Sequence, residues 1–166
     1  MDILLYFMNN KRLTFTVEEA KKKLEQYCIY QDRCHQEIDN KLYEMKMIPE
    51  AREVIFLHLM EHDFLNEERF AKSFARGKFR IKKWGKQRII RELKQRNISS
   101  YIIKEALKEI NDDDYYKTLS EIAIKKYNSI NENNLFKKEK KIKDFLFNKG
   151  YETNLIYNIL REIVEG

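Results

Sequence analysis

Apolar positions recur along the chain at three- and four-residue steps almost from end to end, the period of helices buried along one face. Thr16 followed three residues later by Glu19 is a capping-box pattern and predicts a first helix with the stripe Val17, Ala20, Leu24 and Tyr27. A second helix is expected over about 32–46, with Ile38, Leu42 and Met45 inward. Pro49 suits the first turn of a third, which runs to about His62 and carries Val54, Ile55, Phe56 and Leu59. Asn66 is a natural cap for a fourth helix, which "KKWGKQ" breaks near Gly85, and a fifth follows to about Arg96. "ISS" starts a sixth ending near Ile110. The acids of "NDDD" (Asn111 to Asp114) favour the positive end of a seventh. "SINENN" separates that from an eighth over about 134–149, closed by Gly150 at a C-cap position, and a ninth spans about 152–164. The chain is therefore expected to be all-α.

The nine helices fall into threes, and the chain repeats itself. "RIIRELKQRNISSYIIKEALKEI" (88–110) aligns with "KIKDFLFNKGYETNLIYNILREI" (141–163) at a constant offset of 53, without a gap. Ile89/Ile142, Leu93/Leu146, Ile98/Tyr151, Ile103/Ile156, Leu107/Leu160 and Ile110/Ile163 coincide. Asn97 matches Gly150, and both residue types tolerate the left-handed backbone of a helix cap. "EIDNKLYEMKMI" (37–48) repeats the first half, but Arg52 and Glu53 then stand where the other copies are apolar, so that copy reads as degraded. The expectation is an elongated tandem array of three three-helix units: 16–64, 65–111 and 112–166, preceded by an extension over 1–15.

Charge changes the picture. The 166 residues carry a formal net charge of +6, yet residues 69–96 alone hold twelve Lys and Arg against one acid, Glu92. The remainder, with 21 bases and 26 acids, is mildly acidic. Ordinary exposed helices mix signs because like charges at i,i+4 repel. A segment that accepts this repulsion points to a polyanionic partner. On the fourth helix, Phe70, Phe74, Gly77, Ile81 and Trp84 read as the buried stripe, with Gly77 allowing close helix approach. Arg69, Lys72, Arg76, Arg80 and Lys83 form the neighbouring exposed stripe, and Arg88 and Arg91 extend it on the fifth helix. Lys82, Lys83 and Lys86 crowd the junction, and Glu92 lies four residues from both Arg88 and Arg96, placed to tether one of them. Trp84 and Phe79 are expected in the core rather than as base-stacking platforms.

Other chemistry is scarce. His58 and His62 are i,i+4, but "HLMEH" lacks the acid that HExxH requires beside its first histidine. No glycine-rich phosphate loop and no Ser–His–Asp pattern is present, so neither an enzyme nor a cofactor is expected. Cys28 and Cys34 are six apart, neither a metal knuckle nor a CxxC pair, and suit buried thiols of a reducing cytoplasm. "ILLYFM" (Ile3 to Met8) is too short for a membrane span and lacks a cleavage site; it reads as a frayed end or a short piece laid on the core. A cytoplasmic protein with no membrane partner is expected.

"DFLNEERFAKSFARGKFRIKKWGKQRIIRELKQRNI" (63–98) resembles the central signature of the RecX family, regulators of the bacterial RecA recombinase. The matching positions are Glu67-Glu68, Arg69-Phe70-Ala71, Arg76, Arg80, Gly85, Ile89 and Glu92-Leu93, with Asn97 where the family usually has Gly. The resemblance implies a three-unit helical architecture and binding along the groove of a RecA–single-stranded DNA filament. It further implies inhibition of ATP hydrolysis and strand exchange in recombination, DNA repair and the SOS response. The expected contact residues are Arg69, Lys72, Arg76, Lys78, Arg80, Lys82, Lys83, Lys86, Arg88 and Arg91. The chain would act as a monomer, with only weak affinity for single-stranded DNA alone. Two alternatives stand beside this: a direct DNA-binding protein, since three-helix units resemble helix-turn-helix modules, and a repeat scaffold with a protein-only partner.

Overall fold

The computed structural model describes residues 15–165; the expectations for Ile3–Met8 and most of the N-terminal extension lie outside the described residues. Among the described residues there are nine α-helices and no strand. The chain divides into two compact units, one ending at Glu67 and the other beginning at Glu68.

The first unit is built from α1 (Val17–Tyr30), α2 (His35–Glu44) and α3 (Pro49–Glu61). Thr16 caps α1 as its spacing predicts: its hydroxyl accepts from the Glu19 N–H at 3.2 Å, and the Glu19 carboxylate accepts from the Thr16 N–H at 2.8 Å. That pairing holds the Glu19 carboxyl below the usual carboxylate range, the Thr16 N–H being the main cause. Pro49 occupies the first turn of α3. Ala20, Leu24, Cys28, Ile38, Leu42, Met45, Met47, Ile55, Leu59 and Leu65 form one buried core. Each large aliphatic side chain buried there contributes about 1.5–3 kcal/mol. Val54, assigned inward by periodicity, is exposed; Ile55 and Leu59 alone are fully buried on α3.

The second unit contains α4 (Glu67–Lys82, its first residue at the division), α5 (Lys86–Gln95), α6 (Ser100–Leu107), α7 (Asp112–Ser129), α8 (Leu135–Lys149) and α9 (Thr153–Glu165). α5 packs on α6, and α7, α8 and α9 pack on one another. Ser99, Asn111 and Asn134 cap α6, α7 and α8 through side-chain oxygens, and Asp112, Asp113 and Asp114 fill the first turn of α7.

The repeat is more complete than its sequence shows. The positions that close α2, α5 and α8 are Lys46, Asn97 and Gly150, with φ of 57°, 60° and 92°. The next residues, Met47, Ile98 and Tyr151, send their N–H groups back to the carbonyls of Leu42, Leu93 and Leu146 at 3.1, 3.1 and 3.2 Å. The same left-handed cap thus turns the chain three times. The first copy keeps most of the buried positions. At an offset of 51, Ala20/Ala71, Leu24/Ala75, Cys28/Phe79, Cys34/Gly85, Ile38/Ile89, Leu42/Leu93, Met47/Ile98, Ile55/Ala106 and Leu59/Ile110 are all buried pairs. Arg52, which suggested decay, lies at the half-buried edge: its Nε donates to the Met47 carbonyl at 2.9 Å, and its guanidinium lies 5.5 Å from the Tyr43 ring centroid. At the same offset Arg52 stands where the middle set buries Ile103 and the third buries Ile156, so the first copy departs from the others at that position.

One helix face is rotated from its expected place. The buried residues of α4 are Phe70, Ala71, Ala75 and Phe79, whereas Ile81 is 77% exposed and a side chain on Gly77 would meet open space. Two alanines and a phenylalanine spaced by four outrank the more hydrophobic Ile81, because small side chains admit a neighbouring helix. Close approach occurs instead at Gly85 and Gly150, where an added Cβ would lie 2.2 Å from the Gly150 carbonyl oxygen or 2.3 Å from Arg88 Cβ, respectively.

Candidate nucleic-acid interface

The cationic segment is held by the junction between α5 and α8. Gly85 N–H donates to the Lys149 carbonyl at 2.8 Å, and Gln87 N–H donates to the Gly150 carbonyl at 3.0 Å. Lys149 Nζ donates to the Lys82 carbonyl at 3.0 Å, and the Tyr151 hydroxyl to that of Lys83 at 3.3 Å. Lys83, at φ 54°, makes the turn that ends α4. Beneath it, the Tyr115 hydroxyl accepts the Lys86 N–H at 2.8 Å and donates to Glu152 Oε2 at 2.7 Å. Burial pushes this phenol far above its ordinary range, and the Glu152 carboxylate adds to the effect. The protonated Tyr115 hydroxyl supplies both bonds.

The ten expected contact residues do not form one uniform stripe. Lys72 Nζ donates to Glu68 Oε1 at 2.6 Å, a bond that raises the ammonium pKa. Arg76 reaches Glu109 beyond the end of α6, 2.7 Å from Nη1 to Oε2. Lys86 Nζ lies 2.6 Å from Asp112 at the start of α7, and its hydrogen bond holds the Asp112 carboxyl below the usual range. Lys78 and Arg88 sit over the Trp84 ring, 5.1 and 4.1 Å from its centroid, and Arg88 also donates to the Asn148 carbonyl at 3.2 Å. Trp84 is half-buried between them and edge-on to Phe74, and Phe79 is buried, so these rings serve packing as expected. Glu92 tethers Arg96, with Oε2 3.0 Å from Nη1. Arg69 is half-buried near the start of α4.

Arg80, Lys82, Lys83 and Arg91 are exposed and make no ion pair with a described residue. They come from the last turn of α4, the turn after it and the outer face of α5. The backbone carrying Lys82 and Lys83 is fixed by the bonds from Lys149 and Tyr151. Arg91 borders a recess of about 320 Å³ shared with Gln87, Phe147, Gly150, Tyr151, Glu152 and Thr153. The outer cations Arg80, Lys82, Lys83 and Arg91 are neither buried nor paired with a described acid. The spacing in sequence placed Arg80, Lys82, Lys83 and Arg91 on the exposed surface, where they are found. That spacing could not reveal the Tyr115–Glu152 support, because those residues lie 29 and 66 positions from Lys86.

The histidines are engaged within the first unit: His58 Nε2 is 2.6 Å from Glu25 Oε1, and His62 Nδ1 is 2.9 Å from the His58 carbonyl. Among the described residues no group of three His, Cys, Asp or Glu could hold a metal ion, and no helix is long and apolar enough to cross a membrane.

Comparison with known proteins accords with this architecture. Residues 66–107 match the family model of the RecX second three-helix domain, and residues 112–160 match that of the third. The regulatory protein RecX of Clostridium acetobutylicum is 31% identical over 135 residues, which cover 79% of this chain and 62% of the relative. That of Clostridium tetani is 30% identical over 148 residues, covering 88% and 66%. The chain thus spans about two thirds of the length of these relatives. A crystal structure of RecX from Lactobacillus salivarius superposes with a TM-score of 0.79 at 23% identity, over 90% of this chain and 97% of that one. A second RecX crystal structure gives 0.76 at 21% identity, over 88% and 73%. Both structures share the fold, and the two tandem domain models together cover more than half of the sequence: the chain belongs to the RecX family of regulatory proteins.

Proposed function

We propose that this protein binds a RecA–single-stranded DNA filament and restrains its ATP hydrolysis and strand exchange, without catalysing a reaction of its own, as a cytoplasmic monomer. The observation that carries this reading is the set of uncompensated cations Arg80, Lys82, Lys83 and Arg91, with the backbone of Lys82 and Lys83 held by Lys149 and Tyr151. Arg69, Lys72, Lys78, Arg76, Lys86 and Arg88 belong to the same contact, but their internal partners make them the scaffold of the face as well. Cations that meet phosphates or acidic protein surface release counterions, so affinity falls as salt rises.

The test is a titration of the protein into RecA assembled on single-stranded DNA, following ATP hydrolysis and filament light scattering together. Loss of hydrolysis at substoichiometric protein is expected. Arg80→Glu with Lys83→Glu is the informative variant, because reversal at Arg76 would also set two acids against each other at Glu109. It is expected to weaken filament binding by at least about tenfold and to flatten the salt dependence. Unchanged hydrolysis with tight, salt-sensitive binding to DNA alone would replace this reading with a plain DNA-binding protein. Unchanged hydrolysis with no DNA binding would leave a protein-interaction scaffold.

A further inference from the structure

Several aromatic rings of the second unit are covered by the protein's own cations. Lys78 and Arg88 lie over Trp84, Lys138 over Tyr127, and Lys126 and Lys149 over Phe145. Phe147 on α8 is different: it is 58% exposed, and no described cation or ring stacks on it. The repeat shows what its position requires. At the offsets of 51 and 53, Tyr43 on α2 and Lys94 on α5 correspond to Phe147, all three within their helices and all three exposed. The middle set is built with lysine there, so helix packing does not demand a phenylalanine.

Phe147 lines the recess of about 320 Å³ that Arg91 borders from α5. Backbone bonds hold this recess in shape: Gly85 N–H donates to the Lys149 carbonyl at 2.8 Å and Gln87 N–H to the Gly150 carbonyl at 3.0 Å. Tyr151, a buried member of the lining, donates to the Lys83 carbonyl at 3.3 Å, which joins the recess to the exposed turn of Lys82 and Lys83. Arg91 makes no ion pair with a described residue. Glu152, the acid of the lining, is half-buried and accepts from the Tyr115 hydroxyl at 2.7 Å. Gln87 and Thr153 are exposed at the recess and offer neutral hydrogen-bonding groups.

We propose that this recess binds one unpaired base of single-stranded DNA, its ring stacked on Phe147 and its phosphate on Arg91. An open π-face beside an unpaired guanidinium supplies the two contacts by which single strands are held, aromatic for the base and cation for the backbone. The recess has the volume of a small ligand pocket, enough for a base. It adjoins the turn that carries Lys82 and Lys83, so it lies on the path of a strand bound there. In a duplex the bases are paired and stacked on one another, and their faces are closed to Phe147. This site presupposes the single-stranded DNA partner proposed for the cationic face. It adds a contact to the bases, where the cations reach only phosphates or acidic protein surface.

The experiment is fluorescence anisotropy of the full chain at low ionic strength, with labelled oligothymidine and with an abasic oligomer of the same length. The abasic strand keeps the phosphates and lacks the bases. Oligothymidine is expected to bind at least about fivefold tighter. Phe147→Ala is expected to remove that difference by weakening oligothymidine alone, Phe147→Tyr to retain it, and Arg91→Glu to weaken both strands. Both side chains are exposed, so the helical circular dichroism signal should be unchanged in each variant. A 2-aminopurine base within the oligothymidine reads stacking directly: its fluorescence should be quenched by wild type and recover, at saturation, with Phe147→Ala. The site is overturned if wild type binds the two strands alike, if Phe147→Ala binds oligothymidine as tightly as wild type, or if neither strand binds. Filament ATP hydrolysis separates this failure from that of the proposed function. Loss of hydrolysis with equal affinity for both strands refutes the site alone, and unchanged hydrolysis with no strand bound refutes both.

Discussion

The first unit and the α4–α6 set place the same nine buried positions at a constant offset of 51, and their second helices, His35–Glu44 and Lys86–Gln95, correspond residue for residue. Their surfaces share almost nothing. The ten cationic positions Arg69, Lys72, Arg76, Lys78, Arg80, Lys82, Lys83, Lys86, Arg88 and Arg91 correspond to Glu18, Lys21, Glu25, Tyr27, Ile29, Gln31, Asp32, His35, Glu37 and Asn40. Only Lys21 keeps the charge type. A three-helix unit of this kind therefore folds with other residue types at these surface positions.

The comparison is broken most severely at the buried helix starts. Gly85 and Cys34 are equivalent, but a Cβ at Gly85 would collide with the Gly150 backbone. Gly85→Ala is expected to destabilise by about 3 kcal/mol or more, since backbone cannot step aside as a side chain can, whereas Cys34→Ala should cost less. Urea unfolding of the two variants measures the contrast, and equal costs would mean that the α5–α8 junction is not tight.

Next come Leu42→Ala and Leu93→Ala, equivalent and fully buried. Each is expected to lose about 2–5 kcal/mol. A large difference between them in chemical denaturation would show that the two cores are packed to different standards despite their shared skeleton.

A smaller effect, of opposite sign, is expected at the left-handed caps. Lys46 and Asn97 hold φ of 57° and 60° with side chains present. Lys46→Gly should stabilise by about 0.5–1 kcal/mol, and Asn97→Gly by less, because asparagine already tolerates this conformation. Thermal melts of the two single variants test the order.

The smallest effect is electrostatic. Asp112 is held below its ordinary pKa by Lys86, so the pair adds stability above the carboxyl's unfolded value and loses it as pH falls through the depressed folded value. Asp112→Asn should therefore be slightly less stable than wild type at neutral pH, with the difference vanishing in acid. The position equivalent to Lys86 in the first unit is His35, whose Nδ1 lies 2.6 Å from Glu67 Oε1.

Helix positions, caps and the tandem repeat were legible because they rest on local rules: spacing of apolar residues, the Thr16–Glu19 box, the Pro49 turn and the Gly150 stop. The cationic character of α4 and α5 was legible for the same reason, as was the Glu92–Arg96 tether. Periodicity failed on α4, where hydrophobicity favoured Ile81 and Gly77 over the alanines that are buried. A stripe is chosen by what packs on it, and that partner is not local.

From its sequence alone, then, this protein is an all-α RecX-family chain of repeated three-helix units with one basic segment, because helical period, capping chemistry and net charge depend on near neighbours. Only the tertiary structure decided which cations are spent inside. Arg76 meets Glu109, Lys86 meets Asp112 and Arg88 covers Trp84, while Arg80, Lys82, Lys83 and Arg91 face outward. It also decided that two distant glycines, Gly85 and Gly150, touch. Such pairings join residues tens of positions apart, and their geometry exists only once the helices have packed.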